Sequence, residues 1–310
     1  MRTAFLKTLE DLAASDRRIN LVVGDLGFTV VEPFAKRFPD QFLNAGVAEQ
    51  NMTGLAAGMA LSGKIVFTYS IANFPTLRCL EQIRNDGCYH KANLKVVSVG
   101  GGLAYGALGS SHQATEDLAI LRSLPGMTVV APGDPVEADF ATRAVAALEG
   151  PCYLRLGKAG EPVVHDKPVD FKLGRAIRVS EGKDLTMIST GGMLRSCQLA
   201  ARELGSSGLS VRLLSMHTVK PIDADAVCRA AEETSAMMTV EEHSVLGGLG
   251  GAVAEVLAQH APRKVPFRIL GLPDRFCREV GSHEHLRTVC GLSPEHIAAA
   301  ARALLQDLAA

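Results

Sequence analysis

The stretch Asn44-Ala45-Gly46-Val47-Ala48-Glu49-Gln50-Asn51-Met52-Thr53-Gly54-Leu55-Ala56-Ala57-Gly58-Met59-Ala60 lies between two apolar runs rich in β-formers, Ile19–Asp25 and Lys64–Tyr69. Its pattern predicts a helix over Ala45–Leu61, so the three segments read as strand, helix, strand. The pattern repeats outward. Apolar runs at Leu94–Val99, Met127–Ala131 and Cys152–Leu156 alternate with helical patterns at Leu77–Tyr89, Ala114–Ser123 and Pro135–Leu148. An amphipathic helix over Met1–Asp16 precedes them, with Ala4, Phe5, Leu9, Leu12 and Ala13 on its apolar face. Buried runs alternating with helices predict a mostly parallel sheet covered on both faces. The segment Lys158–Phe171, with two prolines, a glycine and mixed charges, breaks the rhythm and reads as a linker. Beyond it, strands are expected at Leu185–Thr190, Val211–Met216, Ala236–Glu241 and Val265–Gly271. Helices are expected at Met193–Leu204, Asp223–Glu233, Gly251–His260 and Ser293–Leu308. The fold class is α/β: two three-layer α/β/α domains at 1–157 and 173–310, joined by a linker at 158–172.

Composition narrows the function. The 310 residues are 47% hydrophobic with a net charge of −1, and the basic residues are scattered. A nucleic acid or a membrane surface is therefore not expected as the main partner. Seven widely spaced cysteines, without a C-x-x-C pair, point to a reducing cytoplasm and to structural or surface thiols. No apolar run has the length of a membrane span.

Within the opening stretch, Glu49 stands among small and apolar residues. The glycines and alanines that follow let another backbone or a flat ligand approach closely. A buried carboxyl group needs a partner, and desolvation favours its protonated form. Such a group suits hydrogen-bond donation to a heterocycle's ring nitrogen. An equally weighted reading makes Glu49 a helix N-terminal acid behind an Asn44 cap. Gly24-Asp25-Leu26-Gly27 and the longer Gly100–Gln113 loop follow predicted strands, where parallel sheets bind ligands. Neither matches G-x-G-x-x-G with the right flanks, and there is no Walker motif, so a nucleotide-phosphate site is not expected. The long loop ends in His112, whose glycine-rich approach favours a ligand role. Glu241–Gly251 reads as another tight strand-to-helix turn. His283 and His285 frame Glu284 without a third ligand at suitable spacing, which reads as a solvated loop.

Taken in order, several loops resemble the C-terminal half of the transketolase family. They are Gly46–Asn51, Glu81–Asp86, Ser111–Asp117, Pro125–Val129, Gly150–Arg155, His217–Pro221 and Glu241–Gly250. The resemblance implies a pyrimidine-binding thiamine diphosphate domain followed by a transketolase C-terminal-like domain. It also implies transfer of a two-carbon ketol unit from a ketose or ketose phosphate to an aldose. Glu49 then contacts the aminopyrimidine ring nitrogen and shares a proton with it. Phe74 packs on the pyrimidine, with Ile71 at a second aromatic position of the family. His112 meets the donor's oxygens, and Arg2, Thr29 and Lys158 bind the sugar phosphate. Lys158 stands in for a usual Arg, keeping the charge and losing the bidentate fork. Gly100 and Leu108 occupy positions where transketolases carry a donor-reading His and Asp, so non-standard sugar specificity is expected.

The family's diphosphate and Mg²⁺ site, begun by a G-D-G motif, has no counterpart in the sequence. The implied arrangement is a split enzyme. An N-terminal pyrophosphate-binding subunit holds most of the thiamine diphosphate and Mg²⁺, in an α₂β₂ complex with no metal ligands from this chain. The same domain pair occurs in beta subunits of 2-oxo acid dehydrogenases, which is the alternative activity. A non-catalytic regulatory subunit is the alternative without one.

Overall fold

The computed structural model describes residues 1–307. Strands β1 (Ile19–Val23), β2 (Phe42–Asn44), β3 (Ile65–Ile71), β4 (Leu94–Val99), β5 (Thr128–Val130) and β6 (Cys152–Leu156) pair in parallel in the order β5-β6-β4-β3-β1-β2. Alternate strand residues bury against opposite helix layers, as a period of two requires. Leu21, Val23, Phe67, Tyr69, Val97 and Val99 pack with the helices Arg2–Ser15 and Pro135–Ala147. Val22, Val66, Leu94 and Val96 pack on the other side with Met52, Ala56 and Ala60 of the helix Glu49–Leu61. Each fully buried large side chain, such as Phe5 or Phe67, contributes about 1.5–3 kcal/mol by leaving water.

Strands β7 (Ile177–Ser180), β8 (Leu185–Ser189), β9 (Val211–Ser215), β11 (Ala236–Ser244) and β12 (Phe267–Leu272) form a second sheet in the order β12-β11-β8-β9-β7, with β7 antiparallel to β9. Strand β10 (Thr218–Lys220) follows β9 in sequence but leaves that sheet. It pairs antiparallel with β5 of the first sheet, with Thr218 opposite Val130. Its three residues are too few to show a period, and their partner is distant in sequence, so no strand is expected there from the sequence.

The helix expected over Ala45–Leu61 begins at Glu49. Its N-cap is Ala48, without a side-chain bond, which corrects the expected Asn44 cap. Asn44 instead fastens the exit of β2 to the turn after β1. Its Oδ1 accepts from the N–H groups of Asp25 at 3.1 Å and Gly46 at 2.9 Å, and its Nδ2 donates to Asp25 Oδ1 at 2.9 Å. The helix expected over Leu77–Tyr89 is a 3₁₀ turn at Leu77–Cys79, a single α turn at Leu80–Gln82 and a π segment at Ile83–Tyr89. The last helix runs Pro294–Gln306; Leu308 of the expected Ser293–Leu308 helix, with Ala309 and Ala310, lies outside the described residues.

The segment after β6 carries no helix or strand, yet it is strapped down. Asp134 Oδ2 accepts from Val164 N–H at 2.9 Å and His165 N–H at 3.1 Å. His165 Nε2 pairs with Glu137 Oε1 at 2.7 Å, and Phe171 stacks on the buried His217 at 4.0 Å between centroids. Burial pulls the His165 imidazole down, but its hydrogen bond and charge contact with Glu137 outweigh this and raise it above its ordinary value. A histidine raised in the folded state stabilises fully below its unfolded value, and the contribution fades as pH rises through the folded one. Urea midpoints should therefore fall as pH climbs above about 6.5. A His165→Gln variant should lack that part of the pH dependence.

Candidate active site at the carboxyl edge of the first sheet

Loops leaving the carboxyl ends of the parallel strands carry most of the residues singled out from the sequence. Thr29 follows β1, Glu49 follows β2, Ile71 ends β3 with Phe74 just beyond, Gly100 to His112 follow β4, and Lys158 follows β6. This is the edge where open α/β sheets bind ligands.

Glu49 is the first residue of its helix and is 2% exposed. Its Oε2 accepts a hydrogen bond of 2.7 Å from Arg78 Nη1, the charged partner that burial of a carboxylate requires. The helix N-terminus favours a negative charge there by a further ~0.3–1 kcal/mol. Oε1 has no hydrogen-bond partner among the described residues. A Cβ on Gly24, just past β1, would stand 3.3 Å from Glu49 Cγ, so a side chain there would crowd the glutamate. The Arg78 guanidinium also lies over the Phe74 ring at 4.6 Å, and that ring meets His112 edge-on at 5.2 Å. Glu49, Arg78, Phe74 and His112 thus form one contiguous group. Asn73 Nδ2 donates to the Gln113 carbonyl, while Asn73 Oδ1, Gln113 Nε2 and Ser70 Oγ are buried without partners. A buried carboxyl group with one open oxygen, an aromatic face and unused polar atoms suits a flat heterocycle with ring nitrogens and an amino group. Thr29 (φ 65°) and Ala72 (φ 40°) hold left-handed backbone on this edge, at about 1–3 kcal/mol each.

A second group gathers Arg2, Tyr69, Tyr105 and Lys158. Burial pushes both phenols above their ordinary value, and the neighbouring Arg2 charge opposes the rise at each. Arg2 Nε is buried without a partner. Lys158 Nζ lies 5.1 Å from the Tyr105 ring centroid. Thr29 sits on an exposed turn that reaches this group through Gly27, which packs on the Tyr69 ring. Gly100 is buried, Leu108 is 54% exposed and Ile71 is half-buried. The loop from Gly100 to His112 serves both groups, with Tyr105 in one and His112 in the other.

That loop is anchored by the second domain. A two-way backbone bridge between Gly102 and Ala114 closes it, at 2.9 and 3.0 Å. Arg155 of β6, itself buried, donates to Asp117 Oδ2 at 2.8 Å, to Ala114 O at 2.8 Å and to Glu242 O at 3.0 Å. The buried Glu242 carboxylate of β11 accepts from Leu103 N–H at 2.8 Å, His283 Nε2 at 2.5 Å and Arg287 Nη2 at 2.6 Å. Burial alone would raise this acid. The charges of Arg287 and His283 outweigh burial and hold it well below the usual carboxylate range.

His283, Glu284 and His285 therefore do not form the expected solvated loop. They open the helix His283–Val289, where Ser282 Oγ accepts from His285 N–H at 3.2 Å. A serine cap was legible there, but the acid that recruits His283 lies far away in sequence. Arg78 and Tyr105 were also missed. The need of Glu49 for a charged partner was the signal for Arg78; nothing local signalled Tyr105. A cleft of about 870 Å³ opens between the domains, lined in part by Tyr105, Leu108, Lys158, Arg195, His283 and Arg287. Glu49, Phe74 and His112 do not line it; the cleft meets the Gly100 to His112 loop at Gly101, Ala104, Tyr105, Ala107 and Leu108.

Comparison with known proteins adds the family, two relatives and a solved structure. Residues 1–160 match the family "Transketolase, pyrimidine binding domain", and residues 174–297 match "Transketolase, C-terminal domain". The chain is 40% identical over 285 residues to one of the subunits of an apulose-4-phosphate transketolase from Phocaeicola vulgatus, covering 91% of this chain and 90% of that protein. It is 38% identical over 302 residues to a 6-deoxy-6-sulfo-D-fructose transketolase subunit of a Clostridium species, covering 97% and 93%. A solved structure described as a split gene transketolase, an inactive beta4 tetramer, superposes with a TM-score of 0.88 at 39% identity, covering 98% of this chain and 97% of that one.

Proposed function

The chain belongs to the transketolase family, and from that premise we propose that it is the C-terminal subunit of a split, thiamine diphosphate-dependent transketolase. It moves a two-carbon ketol unit from a ketose or ketose phosphate to an aldose. The observation that carries this reading is Glu49: a buried carboxyl group with one oxygen free of hydrogen bonds, beside an aromatic ring, at the ligand-binding edge of a parallel sheet. Bound thiamine diphosphate would supply a nucleophilic carbon and an electron sink for cleavage of a ketose C–C bond.

Each residue has a part in this reading. Glu49 holds the proton shared with the pyrimidine ring nitrogen. Phe74, with Ile71 at the end of β3, covers the ring's flat face. His112, placed 5.2 Å from Phe74, hydrogen-bonds the donor's oxygens. Arg2, Lys158 and Thr29 receive the charged end of the sugar. Gly100 and Leu108 offer the donor's hydroxyls no side-chain hydrogen bond, which turns selection toward specialised sugars; the names of two relatives, with apulose-4-phosphate and 6-deoxy-6-sulfo-D-fructose, agree with that direction.

Among the described residues no group of three His, Cys, Asp or Glu side chains could hold a metal ion, and the sequence has no G-D-G. We assign diphosphate and Mg²⁺ to an N-terminal partner subunit in an α₂β₂ complex. Seven free cysteines support a cytoplasmic location; no helix among the described residues is long and apolar enough to cross a membrane.

Calorimetry tests the split. The purified chain with Mg²⁺ should bind thiamine diphosphate weakly and transfer no ketol unit, and the partner subunit should restore both. Tight binding by the chain alone overturns the divided site. Release of CO₂ from pyruvate by the complex, without ketol transfer, overturns the reaction in favour of a 2-oxo acid decarboxylase.

A further inference from the structure

Gly100 has no side chain, yet the space before it is full. Its backbone is left-handed at φ 83°, and a Cβ built there would lie 2.1 Å from Cδ2 and Cε2 of Tyr105. No side chain at position 100 coexists with that ring. Three observations give the ring a use beyond filling space. Lys158 Nζ sits over it at 5.1 Å, within reach of a cation–π contact. Arg2 lies close enough to act on the Tyr105 hydroxyl, with its own Nε buried and without a partner. The ring also lines the interdomain cleft beside Leu108, which brings an apolar side chain and no hydrogen-bonding group.

We propose that Tyr105 is a specificity-determining residue of the sugar site. Its ring takes the place of a side chain at position 100 and seats Lys158 beside Arg2, so that the site selects a sugar by a terminal oxyanion, phosphate or sulfonate, over its inner hydroxyls. The inference rests on the proposed ketol transfer and deepens it. Physically, one cation seated on the aromatic face and a second beside the ring's hydroxyl make a compact anion receptor. Gly100 and Leu108 withhold the hydrogen bonds that would discriminate among hydroxyls, and such bonds are the main source of large discrimination between close analogues.

The test uses the complex with its partner subunit, with fructose 6-phosphate, 6-deoxy-6-sulfofructose and fructose as donors. Tyr105→Ala should raise KM for the two anionic donors by about two- to fivefold, the range for loss of a cation–π contact to an exposed lysine. It should leave kcat within about twofold, as for an interaction made equally in ground and transition states. Fructose should respond little. Tyr105→Phe keeps the ring and should keep most of the anion preference. Phosphate and sulfonate donors falling together means that the charge is read; one falling alone assigns the preference to that oxyanion. An unchanged ratio of anionic to neutral donor in Tyr105→Ala overturns the inference while ketol transfer stands. Absence of turnover with all donors in the unmutated complex overturns the proposed function, and this inference with it. A stability cycle reads the ring's position without activity. Gly100→Ala should lower Tm less in the Tyr105→Ala background than in the unmutated chain, because the collision is then gone; equal losses overturn the proposal.

Discussion

Glu49→Gln should lower ketol transfer by the two-subunit complex by about 10²- to 10⁴-fold, the range of positioned proton transfer. Glutamine keeps the shape of the side chain and can still accept a hydrogen bond from Arg78, now at 2.7 Å. It cannot share a proton with a ring nitrogen as a carboxyl group does. Thermal unfolding should change by only ~1–3 kcal/mol, from weakening one charge-assisted hydrogen bond. Single-turnover rates on the reconstituted complex, with calorimetric cofactor affinity alongside, separate chemistry from binding. Activity within a few-fold of the unmutated complex returns Glu49 to the plain role of a helix N-terminal acid, which its place at the first position of the helix Glu49–Leu61 also permits.

Glu242→Ala should be the most damaging change to stability away from the sheet edge. It removes the carboxylate that takes hydrogen bonds from His283 at 2.5 Å and Arg287 at 2.6 Å and leaves those cations around an emptied buried site. Breaking one side of a buried ion pair costs about 3–5 kcal/mol. Urea unfolding should report that loss, and Glu242→Gln, which retains an acceptor for Leu103 N–H, should lose less. The acid is held low in the folded state, so its stabilisation is present above the unfolded carboxylate value and fades as pH falls through the folded one. A destabilisation below ~1 kcal/mol, the level of an exposed pair, would mean that the Glu242 contacts contribute little. Because the same carboxylate anchors the Gly100 to His112 loop through Leu103 at 2.8 Å, ketol transfer should fall in both variants in the order of their stability loss.

The two α/β domains were legible because most strands are apolar runs and the longer helices repeat an apolar face within a few residues; the short strands β2, β7 and β10 carry no such run and were not. Leu94–Val99 and Cys152–Leu156 match the expected strands at both ends. Helix starts were less legible. Asn44 has the chemistry of a cap, yet it serves the turn after β1, because the chain needs Gly46 and Ala48 to turn before Glu49 enters the helix. The π segment at Ile83–Tyr89 keeps the overall helical pattern, so nothing in the spacing marks its wider winding.

By itself the sequence determined the α/β class, most of the alternation of strands and helices, the helix that carries Glu49 and the glycine-rich loop that ends in His112, since burial periodicity and glycine-rich turns are local properties. Only the tertiary structure decided the partners: Arg78 for Glu49, the Tyr105 ring for the space at Gly100, β10 for β5, and Glu242 for both Leu103 and His283. These contacts join groups whose pairing leaves no periodic trace, and a buried charge says only that it needs a partner. The fold decides which one by bringing the chain's distant loops to the same edge.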